Sequence, residues 1–452
     1  MAPRGARCDC RMGPHRAGED PRGGTSSARA RLGSGAREER RLGWTDARGR
    51  TRPWSGPAPD GILSGMPRFP GAVPSRLPNV GTTIFTVMSR LAADTGAINL
   101  SQGYPEFSAP PELYDLVLKH MRAGSNQYPP MAGVAPLREA IARKVEALYG
   151  TRYDPEHEIT VTAGGTEALF SAIAALVRPG DEVVLFEPAY DSYAPAVALN
   201  GGTAVRARLR FPDYRPDWAE VRRLVGPRTR MIVVNTPHNP TGTVWTEGDL
   251  TALAAVVEGT DAVVLADEVY EHILFDGRRH ESCARHPALA ARSLVVSSFG
   301  KTYHVTGWKV GYVVAPRELM AEFRRAHQFI VFTVNTPVQL ALAEWLADDS
   351  RYLELGAFYQ RKRDLFRAGL AASRLRLLAC EGTYFQLVSY AGLSGEGDAA
   401  LAERLTREAG VASIPVSAFY EEPPGDPVLR LCFAKNDDTL ARACERLAKI
   451  RW

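Results

Sequence analysis

Lys301, a lysine set among small and hydroxylated residues, is the side chain whose surroundings most strongly suggest chemistry. It lies in residues 298–311 (Ser-Phe-Gly-Lys-Thr-Tyr-His-Val-Thr-Gly-Trp-Lys-Val-Gly), and a second lysine, Lys309, follows eight positions later. Apolar runs at residues 294–296 and 310–314 flank the segment, and burying a lysine cation between them is costly. The pattern suits an amine that forms an imine beside a bound phosphate. Taken alone, the same lysine could belong to an ordinary surface loop.

Three upstream segments carry the polar groups that such a lysine needs. They are residues 162–168 (Thr-Ala-Gly-Gly-Thr-Glu-Ala), 235–242 (Asn-Thr-Pro-His-Asn-Pro-Thr-Gly) and 266–270 (Ala-Asp-Glu-Val-Tyr). Together with the lysine segment they resemble the pyridoxal-phosphate-dependent aminotransferases of fold type I, class I/II. Any one string could occur by chance, but coincidence is a poor explanation for all four in this order, followed by residues 430–433 (Arg-Leu-Cys-Phe).

The resemblance runs from about residue 75 to residue 452 and is closest to the bacterial methionine aminotransferases. Residues 81–86 and 100–105 carry that closer likeness, and the kynurenine aminotransferase/glutamine transaminase branch comes next. The resemblance implies an enzyme that converts L-methionine and other apolar or aromatic amino acids, with a 2-oxo acid as acceptor. The alternative is a kynurenine–oxoglutarate or glutamine–phenylpyruvate transaminase with cysteine-conjugate β-lyase activity.

The composition is that of an ordinary globular enzyme, with 452 residues, 45% hydrophobic and 23% charged. The net charge of +4 comes from residues 1–65, where 13 arginines and no lysine face 7 acidic residues; that is +6, which leaves −2 for the rest. The remainder has no basic excess, so we predict no nucleic-acid partner. No apolar run reaches the roughly 18 residues of a membrane helix, so we expect no membrane partner.

Residues 1–65 contain only four of the residues Leu, Ile, Val and Phe. Such a stretch cannot bury enough apolar surface to offset chain entropy, and we predict that it is disordered. A basic interaction tail and a transit peptide are alternatives, although the seven acidic residues argue against the second. The simplest interpretation is that Met66 or a nearby residue is the true start, because the resemblance begins just after it.

The six cysteines give little indication of a metal site. Only Cys8 and Cys10 are close together, and such a pair without a second pair or nearby histidines is a poor zinc signal. We therefore predict no metal, reduced thiols and a cytoplasmic enzyme. The N-terminus also lacks the apolar core of a signal peptide.

Alternating helix and strand patterns predict an α/β fold. From Pro136, apolar residues at helical spacing predict an amphipathic helix that ends at Gly150. Short apolar runs predict strands at residues 159–162, 183–186, 231–234, 263–266, 294–296 and 310–314. Such runs suit strands covered on both faces, so the sheet should be mostly parallel and sandwiched by helices. The resemblance implies that this sheet has seven strands.

The resemblance also implies a division into domains. Residues 66–107 would form an N-terminal arm and part of a small domain, 108–338 the large cofactor-binding domain, and 339–452 the C-terminal small α/β domain. Beyond about residue 340 the strand patterns are sparser, at 383–388 and 428–433. Ligands bind at the carboxyl ends of parallel strands, which is where the polar segments of the large domain fall.

Three residues receive catalytic roles from the resemblance. Lys301 would bind pyridoxal phosphate covalently and, once released by the amino acid, move a proton from Cα. Asp267 would pair with the protonated pyridine nitrogen, although its position after a strand would also suit a helix N-cap. Tyr270 and Asn239 would contact the cofactor 3-hydroxyl, and Tyr190 would stack on its ring. Taken alone, Asn239 could serve only a turn and Tyr190 only the core.

The phosphate group needs donors and positive charge. Gly165 and Thr166, at a predicted helix N-terminus, offer backbone N–H groups, a hydroxyl and the positive end of the helix dipole. Ser298 and Lys309 would complete the site, although many relatives carry arginine where this chain has lysine. Tyr128 matches a tyrosine that reaches the phosphate in the neighbouring subunit, which implies a homodimer with shared active sites.

Substrate binding is assigned to a second group of residues. Arg430 would clamp the α-carboxylate in a bidentate pair, assisted by Gly103 and Asn239. The aromatic walls of the side-chain pocket would be Phe85, Tyr104 and Phe332, which favour sulfur-bearing or aromatic substrates. Ordinary packing is the alternative for Phe85 and Phe332.

A transcription regulator with an aminotransferase-like domain is a rival from a different class. It requires a DNA-binding helix-turn-helix ahead of that domain, and residues 1–65 lack the apolar periodicity to build one. The sequence therefore favours an enzyme.

Overall fold

The computed structural model describes residues 69–452, so the predicted disorder of residues 1–65 lies outside the described part. In chain order its strands are β1 Ile98–Asn99, β2 Ile159–Thr162, β3 Glu182–Glu187, β4 Thr203–Arg208, β5 Thr229–Asn235, β6 Val263–Asp267, β7 Ser293–Ser298, β8 Gly311–Val314, β9 Arg376–Leu377, β10 Phe385–Ser389, β11 Val411–Ala412, β12 Ile414–Pro415 and β13 Val428–Cys432.

The helices surround these strands and are numbered in the same way. They are α1 Ile84–Thr95, α2 Pro111–Arg122, α3 Ala135–Tyr149, α4 Gly164–Leu176, α5 Tyr193–Leu199, α6 Trp218–Leu224, α7 Glu247–Val257, α8 Pro287–Ala290, α9 Phe299–Thr302, α10 Arg317–Ile330, α11 Thr336–Trp345, α12 Ser350–Leu353, α13 Leu355–Leu370, α14 Asp398–Arg404 and α15 Asp437–Ala448. None of the helices within residues 69–452 is long and apolar enough to cross a bilayer.

The large sheet has seven strands within the described residues, in the order β2-β8-β7-β6-β5-β3-β4. Strand β8 is antiparallel to both of its neighbours, and the other pairs are parallel. The predicted seven-stranded, mostly parallel sheet is therefore confirmed. Because β8 alone is reversed, it starts at the edge where the other strands end.

Both faces of this sheet are buried, as the unbroken apolar runs predict. Val183 and Leu185 of β3 join one apolar core, and Val184 and Phe186 join the other. Neighbouring side chains of a strand point to opposite faces, so a strand covered on both sides needs apolar residues at successive positions.

Strand β4 is the member of the sheet that the sequence does not predict. It lies at the end of the sheet, pairs only with β3 among the described strands, and is at most half-buried over most of its length. Its sequence, Thr-Ala-Val-Arg-Ala-Arg, places arginines at positions 206 and 208. An edge strand exposed to solvent tolerates these charges, and the apolar run used to find the other strands is absent.

Helix α3 begins and ends as its sequence predicts. Pro136 lies in the first turn, where its missing N–H costs no hydrogen bond. Gly150 ends the helix with a φ of 79°, in the left-handed region that glycine adopts without strain.

The C-terminal part contains a four-stranded antiparallel sheet in the order β12-β13-β10-β9. Strand β1 pairs with β11, and Met88 and Leu100 are buried in one core with Leu429 and Leu440. The segment before residue 107 thus packs with the C-terminal residues. The boundaries at residues 108 and 339 stay predictions.

A buried charged cluster lies between α3 and the large sheet. Lys144 of α3 donates from Nζ to Glu271 Oε1 at 2.7 Å and to the Tyr312 hydroxyl at 2.8 Å. Tyr149 and Ser297 also donate to the Glu271 carboxylate. Burial alone would raise the pKa of Glu271, but Lys144, His272 and the Ser297 hydroxyl hold it below its usual range. The cluster ties the turn after β6 and the end of β7 to α3.

Replacing Lys144 should therefore cost far more stability than replacing a lysine in an exposed ion pair. Lys144→Met leaves a buried carboxylate without its cation, which costs about 3–5 kcal/mol in free energy of unfolding. Lys119→Met is the matched control, because Lys119 and Glu344 are also 2.7 Å apart but exposed, and such pairs contribute about 0–1 kcal/mol. Urea denaturation at neutral pH measures both variants. Equal losses would contradict the importance given to burial.

Candidate active site

A cavity of about 300 Å³ opens at the edge of the large sheet where the parallel strands end. Twelve of the predicted site residues line it: Phe85, Gly103, Gly165, Thr166, Tyr190, Asn239, Asp267, Tyr270, Ser298, Lys301, Lys309 and Arg430. The structure thus brings together residues that are more than 300 positions apart in the chain.

Three predicted site residues do not line this cavity. Tyr104 is 48% exposed, Tyr128 is 81% exposed, and Phe332 is 42% exposed. The rings of Tyr128 and Phe332 contact each other, with centroids 5.3 Å apart. The role predicted for Tyr128 concerns a neighbouring subunit, and all three roles stay predictions.

Lys301 is positioned by the short helix α9, which follows β7 directly. A side chain at Gly300 would bring its Cβ to 3.0 Å from the Thr306 backbone, so glycine permits the close approach of the two segments. The half-buried Lys301 donates from Nζ to the Tyr384 hydroxyl at 3.0 Å and to the Gly103 carbonyl at 3.3 Å. Burial lowers the pKa of Lys301 to about 8. A considerable fraction of the amine is therefore neutral near physiological pH.

Asp267 is the last residue of β6 and is 4% exposed. Its Oδ2 accepts a hydrogen bond from the Tyr193 hydroxyl at 2.6 Å, and its Oδ1 accepts one from the Val269 N–H at 3.4 Å. Burial raises the pKa of Asp267 to about 6, although these donors and Lys301 oppose the shift. Turns rather than a helix follow the strand, so the alternative role as a helix N-cap is not found.

Asn239 connects β5 and β6 to the opposite side of the cavity. Its N–H donates to Asn235 Oδ1 at 2.8 Å, and Asn235 Nδ2 donates to the Asp267 carbonyl at 2.8 Å. The side-chain oxygen of Asn239 accepts a hydrogen bond from Arg430 at 2.7 Å. A chain of polar contacts therefore runs from Asp267 to Arg430.

Arg430 is a buried cation that forms none of the ion pairs found within residues 69–452. Besides Asn239, it donates to the Ser101 carbonyl at 3.0 Å, and its Nε has no protein partner in this part of the chain. Its guanidinium lies 3.9 Å from the Phe385 ring centroid and 5.1 Å from that of Phe419. Burial lowers the pKa of Arg430 to about 10. A cation buried in this way provides a binding site for an anion.

The first turn of α4 and Lys309 form a second site suited to an anion. A Cβ on Gly164 would lie 3.3 Å from Lys309 Nζ, so this ammonium group lies close to the backbone at the helix N-terminus. Gly165 and Thr166 in the same turn, together with the buried Ser298, line the cavity beside it. Backbone N–H groups, hydroxyls and a lysine are the donors that bind phosphate groups in proteins.

Two tyrosines of this site were missed by the sequence analysis. Tyr193 donates to Asp267, and Tyr384 accepts from Lys301. Each partner is more than 70 positions away in the chain. A buried tyrosine with a distant partner looks like a core residue in the sequence, and no local signal distinguishes it.

Comparison with known proteins identifies the family. The model of the aminotransferase class I and II family matches residues 95–447. The solved structure of YbdL from Escherichia coli, identified as a methionine aminotransferase, is 53% identical, covers 84% of this chain and 100% of its own, and has a TM-score of 0.83.

Two further relatives have other named substrates. A probable N-succinyldiaminopimelate aminotransferase of Mycobacterium tuberculosis is 40% identical, over 83% of this chain and 98% of its own. The human kynurenine–oxoglutarate transaminase 1 is 32% identical, over 83% of this chain and 97% of its own.

The raised pKa of Asp267 predicts that the carboxylate lowers the stability of the cofactor-free protein in a pH-dependent way. Its pKa is about 6 in the fold against 3.8 as the ordinary value, so the folded state binds more protons between these values, and stability falls as the pH rises through this window. Asp267→Asn should therefore stabilise the cofactor-free protein at about pH 7.5, by about 1–3 kcal/mol, and have little effect at about pH 4.

Urea denaturation of the cofactor-free protein at several pH values measures this difference. Asp261→Asn, at an exposed position that precedes β6, is the control, because it makes the same chemical change where there is no burial to relieve, and it should leave the free energy of unfolding nearly unchanged. A variant no more stable than the natural protein at about pH 7.5 would show that Tyr193 and Lys301 fully compensate for burial.

Proposed function

This chain belongs to the class I and II aminotransferases, which depend on pyridoxal phosphate, and from that premise we propose that it converts L-methionine and a 2-oxo acid into the corresponding 2-oxo acid and amino acid. Other apolar and aromatic amino acids are further substrates. One observation carries the proposal: the buried guanidinium of Arg430, which has no carboxylate partner among residues 69–452, and the Lys301 amine of lowered pKa line the same cavity.

The residues of the cavity fit pyridoxal phosphate. Lys309, Ser298 and the first turn of α4 would hold its phosphate, and Asp267 would hold its ring nitrogen. The close approach of Lys309 Nζ to Gly164, where a Cβ would lie within 3.3 Å, supports this fit. When bound, the cofactor withdraws electrons from the Cα of the amino acid.

Lys301 and Arg430 have separate tasks in the reaction. Arg430 binds the α-carboxylate of the substrate, and Asn239, which accepts its hydrogen bond, fixes the plane of the guanidinium. Lys301 Nζ takes the proton from Cα, for which a pKa of about 8 keeps part of the amine neutral. Tyr270 lies next to this amine, with its ring centroid 5.5 Å from Nζ.

The substrate side chain is selected by aromatic rings around Arg430. The rings of Phe85 and Phe419 meet edge to face at 5.8 Å, and Phe385 lies on the guanidinium. Aromatic walls favour a thioether through sulfur–ring contacts and an aromatic side chain through stacking. We propose methionine rather than kynurenine as the substrate, because the relative named for methionine is 53% identical and the one named for kynurenine is 32% identical.

The quaternary structure we propose is a homodimer with shared active sites. Tyr128, Phe332 and Phe329 are exposed aromatic residues, and Phe329 is 91% exposed. Clusters of exposed aromatic side chains are typical of protein interfaces. We propose the cytoplasm as its location, in keeping with the free thiols of Cys283, Cys380, Cys432 and Cys444.

A panel of amino donors tests the proposed substrate. The cofactor-loaded enzyme is assayed with L-methionine, L-phenylalanine, L-glutamine, L-kynurenine and N-succinyl-diaminopimelate, each against several 2-oxo acids. We expect methionine to give the highest kcat/KM, by roughly tenfold over kynurenine. Lys301→Ala should abolish turnover with every donor while the protein stays folded. A higher kcat/KM for kynurenine or glutamine would favour the alternative substrate, and an active Lys301→Ala would contradict the whole proposal.

Arg430→Ala tests the carboxylate site. Because all amino acids share the α-carboxylate, kcat/KM should fall by roughly one to three orders of magnitude for methionine, phenylalanine and glutamine alike. Tyr104→Ala should instead change the order of preference among them. Steady-state kinetics of both variants separates the two roles. If Arg430→Ala reorders the substrates and Tyr104→Ala does not, the roles are exchanged.

A further inference from the structure

We infer that Tyr384 is a positioning residue of this reaction, whose hydroxyl holds the Lys301 amine at the place from which it reaches the substrate Cα. The inference rests on the proposed function, because it concerns the proton that Lys301 moves. Tyr384 precedes β10 and is completely buried.

The hydrogen bonds of Tyr384 have a fixed direction. Its hydroxyl donates to the Gly103 carbonyl at 2.7 Å and accepts from Lys301 Nζ at 3.0 Å. A carbonyl oxygen can only accept, so the hydroxyl proton points to Gly103 and the oxygen lone pairs remain for Lys301. The amine thus has two fixed acceptors, this hydroxyl at 3.0 Å and the Gly103 carbonyl at 3.3 Å, and the hydroxyl is the nearer one.

The ring that carries this hydroxyl cannot easily turn away. Tyr270 meets it edge to face at 5.2 Å, Tyr359 lies 5.6 Å away, and Phe385 lies 4.9 Å away. The preceding residue, Thr383, has a φ of 64°, which few residues with a side chain adopt. Thr383 Oγ1 accepts the N–H of Phe385 at 3.2 Å and thereby stabilises this local turn.

The same short segment of backbone also holds the carboxylate site. Arg430 donates to the Ser101 carbonyl at 3.0 Å, and Tyr384 donates to the Gly103 carbonyl two residues later. The guanidinium that binds the substrate and the hydroxyl that holds the base are therefore both hydrogen-bonded to the same short backbone segment, residues 101–103. Proton transfer depends steeply on this alignment, since small displacements of reacting groups cost large factors in rate.

Tyr384→Phe removes only the hydroxyl and leaves the ring, so it tests the inference directly. Tyr359→Phe is the matched control. Tyr359 is also completely buried beside Tyr384, but its hydroxyl has no partner among the described residues. Both variants should fold and bind the cofactor as the natural enzyme does.

Two measurements should distinguish Tyr384→Phe from its control. With methionine, kcat should fall roughly 10-fold to 100-fold while KM changes less than about twofold, and deuterium at Cα should slow turnover more than in the natural enzyme. In the cofactor-free protein, competitive acylation of its seven lysines across a pH series, read by peptide mass spectrometry, reports each amine's protonation. The midpoint for Lys301 should move to lower pH, because the ammonium loses an acceptor, and the other lysines should not move.

The outcomes separate this inference from the proposed function. It is overturned if Tyr384→Phe behaves as Tyr359→Phe, if its kinetic loss comes without a shift at Lys301, or if the loss comes with weaker cofactor binding, which indicates a structural role. Should Lys301→Ala be inactive in any of these cases, the proposed function stands without Tyr384. Should Lys301→Ala be active, the proposed function itself fails.

Discussion

Lys301 and Arg430 are two of the three basic side chains that line one cavity, and neither forms an ion pair within the described residues. Removing a cation from water without a carboxylate partner is expensive, and the surrounding structure supplies weaker substitutes. Backbone carbonyls at Ser101 and Gly103 accept from the two side chains, and aromatic rings face both. A carboxylate of the protein in these places would neutralise Arg430 and hold Lys301 charged, and the site would lose its affinity for an amino acid.

The reversed direction of strand β8 brings a further basic residue, Lys309, to the same cavity. Strands that run in parallel end at the same edge of a sheet, and this delivers α4, Asn239, Asp267 and Lys301 to the cavity. Lys309 comes before a strand rather than after one. It reaches the same edge because β8 runs in the opposite direction to its neighbours. A uniformly parallel sheet would place this lysine at the far edge, away from the helix N-terminus that it approaches.

How well the sequence predicts a site residue depends on how far along the chain its contact partner lies. Gly165, Asp267 and Lys301 lie at strand ends that short apolar runs mark, so local pattern and family resemblance find them together. Tyr193 and Tyr384 depend on partners 74 and 83 positions away. Nothing in the sequence around either tyrosine indicates that its hydroxyl has a functional role. A second group of predicted site residues is exposed to solvent. Tyr104 and Tyr128 are exposed, and no contact within residues 69–452 accounts for the roles predicted for them.

The edge strand β4 lacks the apolar run that marks the other strands, and the arginines that it carries instead have a structural role. Arg206 pairs with Glu187 at 3.0 Å and with Glu421, and Arg208 donates to the Glu422 carbonyl at 3.0 Å. These arginines engage the loop before β13 from the last strand of the sheet. A sheet edge with free backbone groups is a template for pairing with other chains, and long charged side chains make that pairing unfavourable. The charges that conceal β4 in the sequence therefore protect the enzyme against aggregation through its largest sheet.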